Sequence, residues 1–180
     1  RQSQHMLFTR SAKIMQIESY LTAAEILGGS AYWFGYPRPD HSNMLTAVQK
    51  LVGAMGLGVA QSERDLGLSR NAKDGTVDIV AWRPFRDGQP AAVVAYGQVA
   101  SGRNWDTKPI GAYVKGHFIP WFAKPPSHQH IELLFVPFLQ HHKLRESSSE
   151  DYREVAREQA RLREMDFGVV IDRLRLTELM

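Results

Sequence analysis

The chain has 180 residues, of which 43% are hydrophobic and 23% are charged, as in an ordinary globular domain with one sizeable core. It contains no cysteine, which excludes disulfides, thiol catalysis and cysteine-based zinc sites. The formal net charge of +3 is compatible with a polyanionic partner but is too small to indicate one by itself.

The first element is a predicted helix from Phe8 to Leu27, ended by Gly28-Gly29. Its expected core face carries apolar residues at helical spacing: Ile14, Ile17, Leu21 and Ala24. Glu18 and Glu25 project from that face. A buried carboxylate is costly unless it is paired or binds a metal, so Glu18 is either a functional residue or a helix-edge side chain that reaches water.

The next segment is a predicted loop over Tyr32–Asn43, rich in aromatic residues and proline. A second helix is predicted over Met44–Met55 and an irregular stretch over Gly53–Lys73. The apolar side of the second helix is formed by Leu45, Val48, Leu51 and Val52.

The middle of the chain contains two β-rich runs, Val77–Trp82 and Ala91–Ala100, separated by a segment with the turn dipeptide Asp87-Gly88. Proline cannot donate a hydrogen bond to a neighbouring strand, so Pro84 and Pro90 are expected near the strand ends. These features together predict an antiparallel β-hairpin.

The last third of the chain begins with an apolar run, Ile131–Val136, which is typical of a strand buried on both faces. A solvent-exposed helix is predicted next, capped by Ser147–Ser149 and closed by Gly168. Its core stripe is expected to contain Tyr152, Val155, Ala156 and Leu162. A short strand, Val169–Asp172, then leads into an arginine-rich amphipathic end expected to pack on the core.

Helices and strands mix along the whole chain, so the predicted fold class is α/β or α+β. We expect one domain over residues 1–180, with a helical N-terminal part (1–60), a sheet (73–136), and a C-terminal helix and strand (147–180). No apolar run reaches the roughly 18 residues that a membrane span needs, and no signal-peptide pattern opens the chain. We therefore expect a cytoplasmic protein with no membrane partner, and the start at Arg1 allows for a piece of a longer polypeptide.

The hairpin suggests a functional site. If it turns at Asp87-Gly88, Asp78 lies opposite Gly97 or Gln98, and cross-strand neighbours are about 5 Å apart. A carboxylate and a carboxamide oxygen at that distance can bind one hard cation such as Mg²⁺. The alternative is a structural aspartate that caps the Asp74-Gly75 turn, with Gln98 hydrogen-bonded within the sheet.

The pattern resembles the PD-(D/E)xK, or restriction-endonuclease-like, nuclease superfamily, in which a strand aspartate is followed across a hairpin by Glu or Gln and then x-Lys. The segment Asp74–Asp78 (DGTVD) and the Gln variant resemble the Mrr-like restriction branch. The segment Gly97–Trp105 (GQVASGRNW) also resembles a signature of bacterial defence-related nucleases in this superfamily.

This resemblance implies a mixed sheet flanked by helices, a Mg²⁺ or Mn²⁺ cofactor, and hydrolysis of DNA phosphodiester bonds in a bacterial defence or restriction system. Other domains or subunits of a defence complex are the further partners it implies. By position, Asp78, Gln98 and the backbone of Val99 match the metal ligands, and Glu18 matches a glutamate that many members place on the helix before the sheet.

The chain departs from the family pattern at Ala100, which stands where a lysine is expected. Lys108 is the best replacement, ahead of Arg103, whose guanidinium stays protonated and cannot act as a base. Arg103, Asn104 and Trp105 are also the expected nucleic-acid contacts.

Two alternatives to an active nuclease stay open. One is a catalytically degenerate nuclease fold that binds nucleic acid or serves in assembly, and the other is an unrelated α+β interaction domain. The histidines of His128–His130 and His141-His142 lack zinc-motif spacing and are interpreted as exposed polar residues, whereas Trp82 is expected in the core.

Overall fold

The structure is a computed structural model that describes residues 2–62, 75–102, 105, 109–138, 158 and 161–179, with side chains from Arg10 onward. Its elements in chain order are helix α1 (Gln2–Leu27), strand β1 (Ser30–Trp33), helix α2 (Met44–Met55), strands β2 (Val59–Ala60), β3 (Ile79–Pro84) and β4 (Ala92–Val99), helix α3 (Ile110–Tyr113), strands β5 (Phe122–Lys124) and β6 (Ile131–Phe135), helical residues 161–167 (α4), strand β7 (Val169–Ile171) and helix α5 (Arg173–Leu179). Between α3 and β5 the chain continues through a π-helical turn, Val114–Phe118, and a 3₁₀ turn, Ile119–Trp121.

A five-stranded mixed sheet forms the centre of the fold, in the order β1-β3-β4-β6-β7. The β1–β3 and β3–β4 pairs are antiparallel, and the β4–β6 and β6–β7 pairs are parallel. Strands β2 and β5 form a separate antiparallel pair. The predicted fold class, a mixed sheet with helices on its flanks, is confirmed.

The predicted hairpin is present as β3 and β4. Its register runs from Ile79 opposite Gly97 to Pro84 opposite Ala92. Gly88 in the connecting turn has a positive φ of 73°, a conformation that glycine adopts without steric cost. Asp78 directly precedes the first paired residue, Ile79.

Apolar residues fill both faces of the sheet. On one face, Val80 and Tyr96 pack with α2 and with Phe118 of the π-helical turn. On the other face, the strands pack with α1 and α5, and this cluster contains Met15, Ala23, Leu27, Ile79, Ala81, Ala95, Leu133, Phe135, Ile171 and Leu176. From Leu133 onward β6 contributes to both sides, as predicted for a strand buried on both faces, but its first residue, Ile131, is 38% exposed.

The predicted core face of α1 is wrong. Ile14, Ile17 and Leu21 are exposed, with 55%, 39% and 53% of their surface accessible. The face that meets the sheet instead contains Met15, Ser19, Thr22, Ala23 and Leu27. Apolar residues occur on both sides of this helix, and the more polar of the two sides is the one buried.

Further predictions differ from the structure. The part expected to be helical, residues 1–60, contributes the edge strand β1, which includes Tyr32 and Trp33 from the predicted loop. Leu162, placed in the core stripe of the C-terminal helix, is 49% exposed. The rest of that stripe lies outside the described residues.

Other local predictions are confirmed. Helix α2 has the predicted bounds, with Asn43 accepting a hydrogen bond from the Thr46 amide at its N-terminus. Trp82 lies in the core, with 7% of its surface exposed. Leu176 packs the arginine-rich C-terminal end against the core cluster on the α1 side of the sheet.

Candidate functional site

Backbone contacts from β4 and from the two residues after β1 position Asp78 just before β3. Its amide donates to the Gly97 carbonyl at 2.8 Å, and its carbonyl accepts from the amides of Phe34 and Gly35, each at 2.7 Å. Its Oδ2 accepts from the Val99 amide at 2.8 Å. The carboxylate is thus held at the end of the β3–β4 hairpin by Val99, the residue after Gln98.

The turn before Asp78 is strained. Thr76 has a φ of 66°, a left-handed conformation that costs a β-branched residue about 1–2 kcal/mol. Gly75 also has a positive φ, and a Cβ there would lie 2.9 Å from the His117 carbonyl oxygen. This turn brings the chain into β3 with Asp78 at its start.

The other carboxylate oxygen of Asp78 faces Gly35 and helix α1. A Cβ on Gly35 would lie 2.7 Å from Asp78 Oδ1 and 2.9 Å from Gln16 Nε2. The absence of a side chain at Gly35 therefore lets Gln16 and Asp78 come close together. Sequence reasoning missed Gln16 because no short motif contains it.

Gln98 has an unusual environment for a carboxamide. Its Oε1 is buried and accepts no hydrogen bond from any described residue. A buried carbonyl-type oxygen without a donor costs about 1–3 kcal/mol. By strand alternation, Gln98 lies on the β4 face that also carries Tyr96. The structure therefore places the Asp78 amide against Gly97 and its carboxylate against Val99, the two residues that flank Gln98, and Gln98 Oε1 has no protein partner among the described residues.

The remaining predicted site residues fall in different places. Glu18 is half-buried on α1, and within the described ranges no hydrogen bond or ion pair involves it. Trp105 is 5% exposed in a core cluster with Phe167, and the Arg163 guanidinium lies 5.3 Å from its ring centre, so this tryptophan is not open for stacking on a base. Arg103, Asn104 and Lys108 lie outside the described residues.

A groove runs between α1 and the loop after β1, and it shares Gln16 with the surroundings of Gly35 and Asp78. Its cavity volume is about 290 Å³. Lys13 and Gln16 line it from α1, and Trp33, Tyr36 and His41 line it from the other side. Arg38 also borders the groove but is 2% exposed, with its guanidinium donating to Ser42 O and Met44 Sδ. On the α1 side of the groove, Lys13 supplies an exposed positive charge.

A second polar group lies farther along β4. The Tyr96 and His130 rings are 4.9 Å apart, and His130 Nε2 is 3.6 Å from Glu132 Oε1. Burial raises the pKa of Tyr96 above its ordinary value, so the phenol stays protonated. Burial lowers the pKa of His130, although the negative charge of Glu132 acts in the opposite direction. His128 is exposed as expected, but the His130 side chain is only 10% exposed, so the interpretation of His130 as a surface residue is wrong.

Protein-family models, curated proteins and solved structures were compared with this chain, and none of the three comparisons gave a match. In the described part of the chain, three or more His, Asp or Glu side chains do not cluster as a ready-made metal site. None of the helices described has the length and apolar character required to span a bilayer.

Proposed function

We propose that this chain is a Mg²⁺- or Mn²⁺-dependent DNA endonuclease that hydrolyses phosphodiester bonds, in a bacterial defence or restriction system. One observation carries the proposal. The Asp78 carboxylate is fixed at the end of a hairpin by the amide of Val99, and the preceding residue, Gln98, has a buried side-chain oxygen that accepts no hydrogen bond from the described residues. The likeness to the PD-(D/E)xK pattern at these same positions supports this reading.

The donor atoms suit a hard divalent cation. Mg²⁺ prefers carboxylate and carbonyl oxygens, keeps several waters, and needs only one or two protein carboxylates. Asp78 supplies a carboxylate, and Gln98 Oε1 and the Val99 carbonyl supply neutral oxygens. A bound cation would neutralise charge on the phosphate and activate a water molecule. The chain's own part is to hold Asp78 in place, through the amides of Val99, Phe34 and Gly35 and through Gln16.

The groove that Gln16 lines suits a nucleic-acid strand. Single-stranded nucleic acids bind where aromatic side chains stack on bases and cations follow the phosphates. Tyr36 is 53% exposed, and Lys13 is also exposed on the same groove. In this proposal these two residues take the role first expected of Trp105.

A second candidate function is a catalytically degenerate nuclease fold that binds nucleic acid without cutting it. Ala100 favours this function, because its methyl group cannot supply the positive charge that the family places there. Its amide is committed to the Phe135 carbonyl at 2.9 Å, at the end of β4. If the enzyme is active, another residue must therefore supply the positively charged side chain. Lys108 is the first candidate and Arg103 the second.

Cleavage of supercoiled and linear DNA with Mg²⁺, Mn²⁺ or EDTA tests the proposal. The parent chain should cut only with metal, and Asp78→Asn should reduce the rate about a hundredfold or more. An asparagine oxygen can still accept from Val99, so the fold should survive. Asp166→Asn, at an exposed position of α4, is the matched control and should cut normally.

DNA binding separates the two candidate functions. Lys13→Ala and Tyr36→Ala should weaken DNA binding, and Lys13→Ala should also lower its salt dependence, because a lysine-phosphate contact releases counterions. Binding without any cleavage would support the degenerate module. A parent that neither binds nor cuts DNA would refute both functions.

A further inference from the structure

Helix α1 has a second apolar stripe, on the side opposite its core face. The stripe contains Ile14, Ile17 and Leu21, all exposed to solvent. With Arg10 before it and Ala24 after it, the positions follow one another at intervals of four, three, four and three residues. That spacing is the heptad pattern of a helix that packs lengthwise on another helix.

The stripe is unusual for a free surface. Single exposed apolar residues are common, but aligned branched side chains on one helix face mark an interaction surface. Within the described residues, nothing covers Ile14 and Leu21, which keep more than half of their surface accessible. The repeat spacing indicates that the partner element is a helix rather than a strand or a loop.

Charges at the two ends of the stripe identify which helix fits. Arg10 and Lys13 lie at its N-terminal end and Glu25 at its C-terminal end, all three exposed. No ion pair joins any of the three to another described residue. A helix that presents basic residues at one end and an acidic residue at the other is complementary to itself when the second copy runs antiparallel.

We propose that a second copy of this chain packs its α1 antiparallel on this stripe and forms a symmetric dimer. With the two-fold axis near Ile17, Ile14 of each copy lies close to Leu21 of the other. The Arg10 turn of each copy then faces the Glu25 turn of the other, so the charge contact occurs twice. A parallel pair would instead place Arg10 against Arg10 and Glu25 against Glu25, which is unfavourable.

The proposal does not depend on nuclease activity, and sedimentation of the intact chain tests it. From about 1 µM to about 1 mM, the parent should pass reversibly from monomer to dimer. Leu21→Glu should remain monomeric over this range with an unchanged thermal unfolding curve, because Leu21 is exposed in the monomer. Ile26→Glu is the matched control. Ile26 is 37% exposed and points to the side of α1 opposite Ile17, so this substitution should leave the dimer intact.

Charge exchange tests the antiparallel direction. Arg10→Glu and Glu25→Arg should each weaken the dimer by about tenfold. The double variant should restore the parent affinity, because the two charges are then exchanged but still opposite. A parallel dimer would show no such restoration.

Cross-linking gives an independent result, since the chain has no cysteine of its own. Ile17→Cys should form a disulfide between two copies under mild oxidation, and Ile26→Cys should not. A parent that is monomeric at all concentrations, or a dimer that Leu21→Glu leaves unchanged, would overturn the proposal. The partner of the stripe would then be a helix of another protein or of another segment of the chain.

Discussion

Asp78 shows how much of a site's geometry is set by backbone rather than by side-chain contacts. Its amide, carbonyl and carboxylate are each bonded to main-chain groups of Gly97, Phe34, Gly35 or Val99. Such contacts do not depend on the identity of neighbouring side chains. They hold the carboxylate in one orientation and reduce the entropy that metal binding would otherwise cost.

Part of this site could be predicted from the sequence. The Asp87-Gly88 turn predicts the hairpin, and its register pairs Ile79, the residue after Asp78, with Gly97, the residue before Gln98. The approach of Gln16 could not be predicted, because it depends on the packing of α1 against the sheet and on the missing side chain at Gly35. No local pattern contains either fact.

Gly35 and Gly53 are predicted to respond in opposite directions to alanine. Gly35→Ala places a methyl group 2.7 Å from Asp78 Oδ1 and should destabilise the fold by about 1–3 kcal/mol. Gly53 lies within α2 with nothing within 4 Å of its Cβ position, so Gly53→Ala should stabilise by about 0.5–1 kcal/mol. Urea denaturation measures both, and equal effects of the two substitutions would contradict the packing around Asp78.

At the scale of elements, α1 shows why helical periodicity alone predicted the wrong buried face. Ile14, Ile17 and Leu21 form the stronger apolar signal, yet Ser19 and Thr22 are the ones buried. Small residues allow the helix to approach the sheet closely, and close packing can outweigh hydrophobicity of individual side chains. The bounds of α2 were predictable, but only part of its face was: Val48 and Leu51 are buried as expected, whereas Leu45 and Val52 are partly buried at the edge of that face.

The buried face of α1 contains a hydroxyl that should be dispensable. Thr22 is 1% exposed, and its Oγ1 has no hydrogen-bond partner in the described part of the chain. Thr22→Val keeps the shape and removes a buried unsatisfied group, so it should raise the free energy of unfolding by about 1 kcal/mol. The control Thr46→Val changes a half-exposed hydroxyl and should give no gain. A loss of stability in Thr22→Val would show that this hydroxyl does find a partner.

For the whole molecule, the sheet order links segments that are far apart in sequence. The hairpin of β3 and β4 is local and was predictable, but β1 pairs with β3 across about 50 residues and β6 joins β4 in parallel. Strand direction and order depend on how helices cover both faces, which a single sequence does not state. Strand β1 was missed because its four residues follow two glycines and carry no alternating pattern.

His130 is predicted to make the stability of the whole fold sensitive to acid. Burial holds its pKa below the ordinary value of 6.5, so the folded chain binds this proton less readily than the unfolded chain. Its contribution to stability is therefore complete well above pH 6.5 and is lost as the pH falls through that value toward the lower, folded pKa. Between pH 7.5 and pH 5, the unfolding free energy of His130→Gln should fall less steeply than that of the parent. The difference should be roughly the contribution of one titrating group.

The exposed His128 provides the control for this titration. His128 is exposed, and His128→Gln is the control variant measured in the same way. Profiles that coincide for the parent and His130→Gln would contradict the burial of His130 next to Tyr96.

Anomalous diffraction from crystals soaked in Mn²⁺ tests most directly whether Asp78 and its neighbours on β4 form a hard-cation site. We expect a peak about 2 Å from an Asp78 carboxylate oxygen and within coordination reach of Gln98 Oε1 or the Val99 carbonyl. The peak should be absent from Asp78→Asn crystals under the same conditions. Soaked parent crystals with no peak at Asp78, or with Mn²⁺ bound only elsewhere, would contradict it.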